Sequence, residues 1–195
     1  RIVEIGHRPA PEAIDAWLEP ILGGEDAAIV SEAGCPAIAD PGAMIVARAH
    51  ELGLRVHPLV GPSSILLALM ASGLNGQSFR FLGYLPQDGA ALAARLREIE
   101  HSSRASGETQ LWIETPYRND RMFDALLSVG AGDTRVSLAT ALTAADQTVH
   151  TRSVAEWRAI AIAQRPVLHK RPAVFALLAP SAASRARTPG PTRSR

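Results

Sequence analysis

Apolar side chains at Ile14, Trp17, Leu18, Ile21 and Leu22 recur at intervals of three and four, which predicts an amphipathic helix over Pro11 to Leu22, stopped by Gly23-Gly24. The pattern then changes. Ala27 to Val30 is a short apolar run that reads as a buried strand, Ala43 to Leu52 reads as a helix ended by Gly53, and Leu54 to Val60 reads as a second strand. Ile65 to Ala71 is apolar throughout and predicts a buried helix ending near Gly73, and Phe79 to Leu85 predicts a further strand closed by Pro86. Two successive strand–turn–helix units imply parallel strands with right-handed crossovers, so both turns are expected at one edge of a mainly parallel sheet.

From Gln87 the composition shifts. Ala90 to Glu100 is rich in alanine and arginine, with Leu92, Leu96 and Ile99 on one helical face, and His101 to Glu108 reads as a polar linker. The chain continues as strand Gln110 to Glu114, helix Asn119 to Ser128, strands Arg135 to Ala141 and Gln147 to Ser153, helix Val154 to Gln164, and strand Ala173 to Leu178. Two strands in direct succession predict an antiparallel hairpin inside a mixed sheet. The expectation is an α/β protein of two α/β domains, 1–87 with a mainly parallel sheet and 88–180 with a mixed one. A basic tail, 181–195, holds Arg185, Arg187, Arg193 and Arg195 among Ser, Thr, Pro and Gly, and is expected to be disordered.

Composition narrows the chemistry. With 195 residues, 47% of them hydrophobic, the chain is long enough for one or two real cores, and its formal net charge of +1 neither demands nor excludes a nucleic-acid partner. Its positive charge is nearly all arginine, Lys170 being the only lysine. The single cysteine, Cys35, rules out an internal disulfide and a multi-cysteine zinc site, and the six histidines are dispersed without ligand spacing, so no metal is expected. No apolar stretch approaches the roughly 20 residues that span a bilayer, and the start has no signal-peptide pattern; a soluble, cytoplasmic protein is expected. The chain opens at Arg1 without methionine, as the later part of a longer protein would.

Phosphate-loop, dinucleotide-binding and nucleophile-elbow signatures are absent, which removes the commonest α/β enzyme classes. What remains are turns at strand ends. Ser31 to Gly42 is rich in Gly and Pro between an expected strand and an expected helix, where backbone N–H groups and a helix N-terminus face a ligand; it reads as a ligand cradle or as an ordinary crossover turn. Within it Asp40 fits a helix cap, Glu32 a solvated charge, and Cys35 a small filler or a nucleophile. Ser63 and Ser64 can cap the helix they precede and also donate to a ribose or carboxylate. Glu114-Thr115-Pro116-Tyr117-Arg118 ends a strand, with Glu114 and Arg118 either lining a site or pairing across the turn. His169-Lys170-Arg171-Pro172-Ala173 reads as an anion contact or as a solvated loop.

Taken in order, these motifs resemble the tetrapyrrole methylase superfamily of S-adenosylmethionine (SAM) dependent methyltransferases, and within it the branch of ribosomal RNA small subunit methyltransferase I. The resemblance runs from the Ser31 to Gly42 loop through Leu59-Val60-Gly61-Pro62-Ser63-Ser64, Ala71-Ser72-Gly73-Leu74, Phe81 to Pro86 and Glu114 to Arg118 to Ala139-Thr140-Ala141-Leu142-Thr143 and Pro172-Ala173-Val174-Phe175. It implies two α/β domains with SAM in a cleft between them, and usually a homodimer. Carried over by position, the cofactor contacts are Gly34, Cys35, Ile38, Ser63, Ser64, Ile113, Ala141, Leu142, Pro172 and Ala173. The family's opening strand and its glycine-threonine-proline loop have no counterpart, so the first domain is expected to be incomplete at its start. The resemblance implies methyl transfer to ribosomal RNA, with a tetrapyrrole or another small acceptor second and a non-catalytic SAM-binding module third. A ribose hydroxyl acceptor calls for a general base, for which Glu32, Asp40 and Glu114 are the candidates.

Overall fold

The structure is a computed structural model that describes residues 1–32 and 34–181. The tail expected from 181 lies outside the described residues from 182 on. The chain divides into two compact units, Arg1–Ser63 and Ser64–Arg195. This division lies upstream of the expected change at 87–88, because the helix and strand between Ser64 and Tyr84 join the sheet of the second unit.

The first unit holds α1 (Pro11–Leu22) and α2 (Ala43–Glu51). Ile14, Leu18, Ile45 and Ala49 form its core, with Ile5, Ile29, Leu52, Leu54 and Val56 packed against it. Arg48 on α2 bonds Asp15 on α1 at 2.6 Å. The expected strands Ala27 to Val30 and Leu54 to Val60 do not form a ladder, and among the described residues no strand precedes Phe79. The parallel first sheet is therefore corrected to two helices with unladdered segments laid against them. Alternation survives from Leu52 to His57, with Leu52, Leu54 and Val56 packed and Gly53, Arg55 and His57 exposed. Two short parallel runs bury too little to hold a sheet alone, and Pro58 removes a donor from the longer one.

The second unit is a five-stranded mixed sheet, β1 (Phe79–Tyr84), β2 (Thr109–Glu114), β3 (Arg135–Thr140), β4 (Thr148–Ser153) and β5 (Ala173–Leu178), in the order β1-β2-β5-β3-β4. The β1–β2 pair is parallel and joined by α4 (Gly89–Ser106); the other pairings are antiparallel, including the expected β3–β4 hairpin. One face carries α4, α5 (Asn119–Val129) and α6 (Val154–Ala159), whose Leu96, Ile99, Met122, Leu126 and Trp157 pack with Trp112, Leu138 and Phe175. The other carries α3 (Ser64–Ser72), with Ile65, Ala68 and Leu69 against Leu111, Ala139, Val174 and Ala176. The period of two along β2 and β5 sorts their side chains between these faces. Trp112 and Phe175 stack on adjacent strands, centroids 5.7 Å apart.

Two helices differ from the reading of the sequence for identifiable reasons. The stretch expected as a polar linker from His101 is helical to Ser106, because Ser103 Oγ donates to Glu108 O (2.7 Å) and accepts from Ala179 N (3.0 Å), while Arg104 reaches Asp133 and Pro180 O. Gly107 ends α4 in a left-handed conformation at φ 73°. The helix expected from Val154 to Gln164 stops at Ala159, where Ile160 turns extended, and resumes as one 3-10 turn, Ile162–Gln164.

Ser153 starts α6 with a reciprocal capping box: Glu156 N donates to Ser153 Oγ (3.2 Å), and Ser153 N (2.7 Å) and Oγ (2.8 Å) donate to Glu156 Oε2. The bonds from Ser153, backbone N–H first, hold the Glu156 carboxyl below its ordinary value of 4.5, with smaller help from Arg152 and Arg135. A depressed folded value means the contribution is complete above the unfolded value and is lost as the pH falls through the folded one. Glu156→Gln should therefore flatten the decline in melting temperature on the acid side of 4.5. An unchanged acid limb would remove the capping carboxylate from the linkage.

Candidate functional site

In the first unit the candidate residues sit on two turns that meet. Cys35 Sγ, half-buried, donates to Pro62 O at 3.5 Å, so the Ser31 to Gly42 loop touches the Gly61 to Ser64 turn. This contact is the adjacency expected of the two turns, achieved without a laddered sheet. Gly34 holds φ +81° with nothing within 4 Å of an added Cβ, whereas at Gly42 (φ +129°) a Cβ would meet Ala37 N and Ile29 Cγ2 at 3.4 Å. Ala37 N donates to Pro41 O (3.0 Å), folding the loop back on itself. Ile38 and Glu32 are exposed and Asp40 is half-buried. Ser63 is buried, and Ser64 is the exposed first residue of α3.

In the second unit the candidate residues converge at one end of the sheet. Ala173 opens β5 opposite both Glu114 and Thr140, the last residues of its neighbours β2 and β3. Ala141 N donates to Pro172 O at 2.9 Å, and Ile113 pairs with Val174. Ile113, Ala141, Pro172 and Ala173, from three separate segments, are thereby brought within two strand positions of each other, and Leu142 follows Ala141 in the turn. Leu142 also borders an open groove of about 520 Å³, lined by Leu67, Met70 and Ala71 of α3 and by Thr143, Gln147 and Val149. Thr143 N donates to Gln147 Oε1 (3.0 Å), closing the turn along one wall. Its lining is mostly apolar, with Thr143 and Gln147 forming a polar edge.

Backbone strain falls on the same segments. Among the described residues the non-glycine positions with positive φ are Ala37 (67°), Ala39 (56°), Ala141 (48°), Thr143 (71°) and Lys170 (59°). Each conformation costs an L-residue roughly 1–2 kcal/mol, and such outliers cluster where a backbone is held for a ligand. All five lie on the first loop, the turn after β3, or the segment before β5. Three of the five are alanine, which carries no turn bias, so nothing in the residue type marks those three as strained.

The carboxylates divide. Glu114, buried at the end of β2, accepts from Thr115 N (2.6 Å) and Arg118 Nε (3.0 Å) and is further bonded by Arg118 Nη2, all on Oε1. The Glu114–Arg118 pair anticipated as one of two readings thus forms and ties the turn. Two residues that sequence reasoning passed over complete the frame. Asn119, fully buried, donates from Nδ2 to Arg171 O (2.6 Å) and Leu168 O (3.3 Å), pinning the segment before β5. Asp146 meets Arg171 at 2.5 Å and joins that segment to the turn after β3. An asparagine at a helix start looks like a cap, so its role had no signal; Arg171 stood in the basic stretch already singled out. Among the described residues no group of three or more His, Cys, Asp or Glu is placed to hold a metal, and no helix is long and apolar enough to cross a membrane.

A mixed sheet with helices on both faces and a ligand-sized groove at its strand ends defines an α/β protein, and the same fold is found in the crystal structure of the methyltransferase CobJ, with a TM-score of 0.53 at 18% identity over 86% of this chain and 76% of that one. The chain belongs to the tetrapyrrole (corrin/porphyrin) methylase family, whose model matches residues 2–157. Among its relatives is the ribosomal RNA small subunit methyltransferase I of Vibrio cholerae, 37% identical over 139 residues, which are 71% of this chain and 47% of that protein. The enzyme of the same name from Pseudomonas aeruginosa is 34% identical over 140 residues, 72% of this chain and 48% of that protein. The chain spans about half the length of the curated relatives it matches.

Proposed function

We propose that this chain is the SAM-binding and methyl-transferring part of an enzyme that acts on ribosomal RNA. Membership of the methylase family and the two relatives' names support the reading, and the convergence of Ile113, Ala141, Leu142, Pro172 and Ala173 at one sheet end carries it. SAM supplies a methyl group already activated by its sulfonium, so the protein has to hold donor and acceptor in line and exclude water. In this reading the groove at Leu142 takes the adenine against Leu67, Met70 and Val149, and the strained backbone at Ala141 and Thr143 lets main-chain groups approach it closely. Gly34, Cys35, Ile38, Ser63 and Ser64 are the contacts proposed from the first unit and the start of α3.

Because Glu114 is committed to its turn, a base for a hydroxyl acceptor falls to Glu32 or Asp40. Such a base would take the hydroxyl proton as the acceptor oxygen bonds the methyl carbon and sulfur keeps the electron pair of the broken bond. Cytoplasmic location and a homodimer belong to the same proposal. A tetrapyrrole acceptor is the second reading, favoured by the description of the family itself, and it needs less help from a base.

Calorimetric titration with SAM and with S-adenosylhomocysteine tests the first step. Binding of both at one site per chain is expected, and binding of neither would overturn the proposal. Transfer of a labelled methyl group to small-subunit ribosomal RNA rather than to a uroporphyrinogen then decides the acceptor.

A further inference from the structure

The turn after β2 and the segment before β5 are locked together. Lys170 N donates to Pro116 O at 3.0 Å, and Asn119 bonds Leu168 O and Arg171 O from beneath. On this clamp stands Tyr117, 72% exposed, with the His169 ring edge-on to it, centroids 6.2 Å apart and planes at 78°. Lys170, between them and the cofactor segment, is exposed and holds φ 59°. Its arginine neighbours are both taken, Arg118 by Glu114 and Arg171 by Asp146. Among the described residues no carboxylate pairs with Lys170, which leaves its ammonium free for an anion. Pro172, two positions on, is bonded to Ala141 in the candidate cofactor site.

We propose that Tyr117, His169 and Lys170 seat one unpaired nucleotide of an RNA acceptor, its base stacked on Tyr117 and its phosphate at Lys170. This rests on the reading of the chain as a SAM-dependent enzyme that methylates RNA. Unstacked bases are bound on exposed aromatic faces with cations along the backbone. Two rings nearly at right angles offer a single ring face, which suits one base, whereas a flat macrocycle would need a coplanar wall. Asp120 Oδ2 lies 3.9 Å from His169 Nδ1, so the histidine side of the corner suits a base edge and not a phosphate. These are positioning residues for the acceptor and take no part in bond making.

The test measures anisotropy of a fluorescein-labelled single-stranded RNA 12-mer with the full chain, beside calorimetry of S-adenosylhomocysteine on the same preparations. Tyr117→Ala should weaken RNA binding about tenfold, and Tyr117→Phe should restore it, since stacking needs the ring and not the hydroxyl. Lys170→Ala should reduce the slope of log affinity against log salt by about 0.7, the share of one single-strand phosphate contact. S-adenosylhomocysteine affinity should not move in the Tyr117 variants, whose side chain lies outside the candidate cofactor contacts. RNA binding equal to the unaltered protein's in Tyr117→Ala and Lys170→Ala would overturn the inference, as would loss of RNA to competition by a uroporphyrin that binds through Tyr117. If the unaltered chain binds S-adenosylhomocysteine but no RNA, this inference alone falls; if it binds neither, the proposed function falls with it.

Discussion

Trp157→Ala should destabilise the second unit by about 4 kcal/mol, in the range for emptying a buried aromatic site. The indole is 1% exposed, stands edge-on to Phe123 with centroids 5.2 Å apart, and carries the Arg152 guanidinium 5.3 Å from its ring. Its Nε1 donates to Val136 O at 3.0 Å, which fastens α6 to β3. Against a total stability of roughly 5–15 kcal/mol, the loss is large enough to leave a substantial unfolded fraction at physiological temperature. Trp157→Phe keeps the ring contact and drops the hydrogen bond, and should cost about 1–2 kcal/mol. Urea titration by far-ultraviolet circular dichroism reads both; a loss below about 1 kcal/mol in the alanine variant would show that the helical face does not depend on this anchor.

The second large effect is expected on the ligand. Gly34→Val should lower S-adenosylhomocysteine affinity about tenfold or more, because a β-branched residue at φ +81° costs roughly 1–2 kcal/mol and pulls the loop out of its conformation. The space beside Gly34 is open, so the effect is conformational and not a clash. Melting temperature should change little, since the loop lies outside the three buried clusters. Asparagine tolerates the left-handed region, so Gly34→Asn should retain most of the affinity. Unfolding of the valine variant would instead assign the glycine to the fold.

How much of this was legible follows from where the signals are local. The helix at Pro11 to Leu22, the β3–β4 hairpin and the mixed sheet could be read, because periodicity and turns act over a few residues. The Ser31 to Gly42 loop stood out by its Gly and Pro, and the candidate contacts on β2, β3 and β5 proved to be neighbours at one sheet end. What escaped the sequence depends on distant partners. Ala27 to Val30 has the composition of a strand, but a ladder needs a neighbour that composition cannot supply. The last turns of α4 look polar because Ser103 and Arg104 spend their polarity on Glu108, Ala179, Asp133 and Pro180. Asn119 is silent in sequence because its partners lie 49 and 52 residues away.

The placement of β5 between β2 and β3 also governs the order in which the sheet can come into being. Until Ala173–Leu178 has left the ribosome, β1–β2 and β3–β4 are two separate ribbons, each with an open inner edge. Within this sheet β5 comes last in chain order and is its keystone, and every hydrogen bond it makes closes a long loop. A nascent chain stalled before Ala173 would present both unsealed edges to other chains, so slow emergence of β5 would leave this sheet open to aggregation.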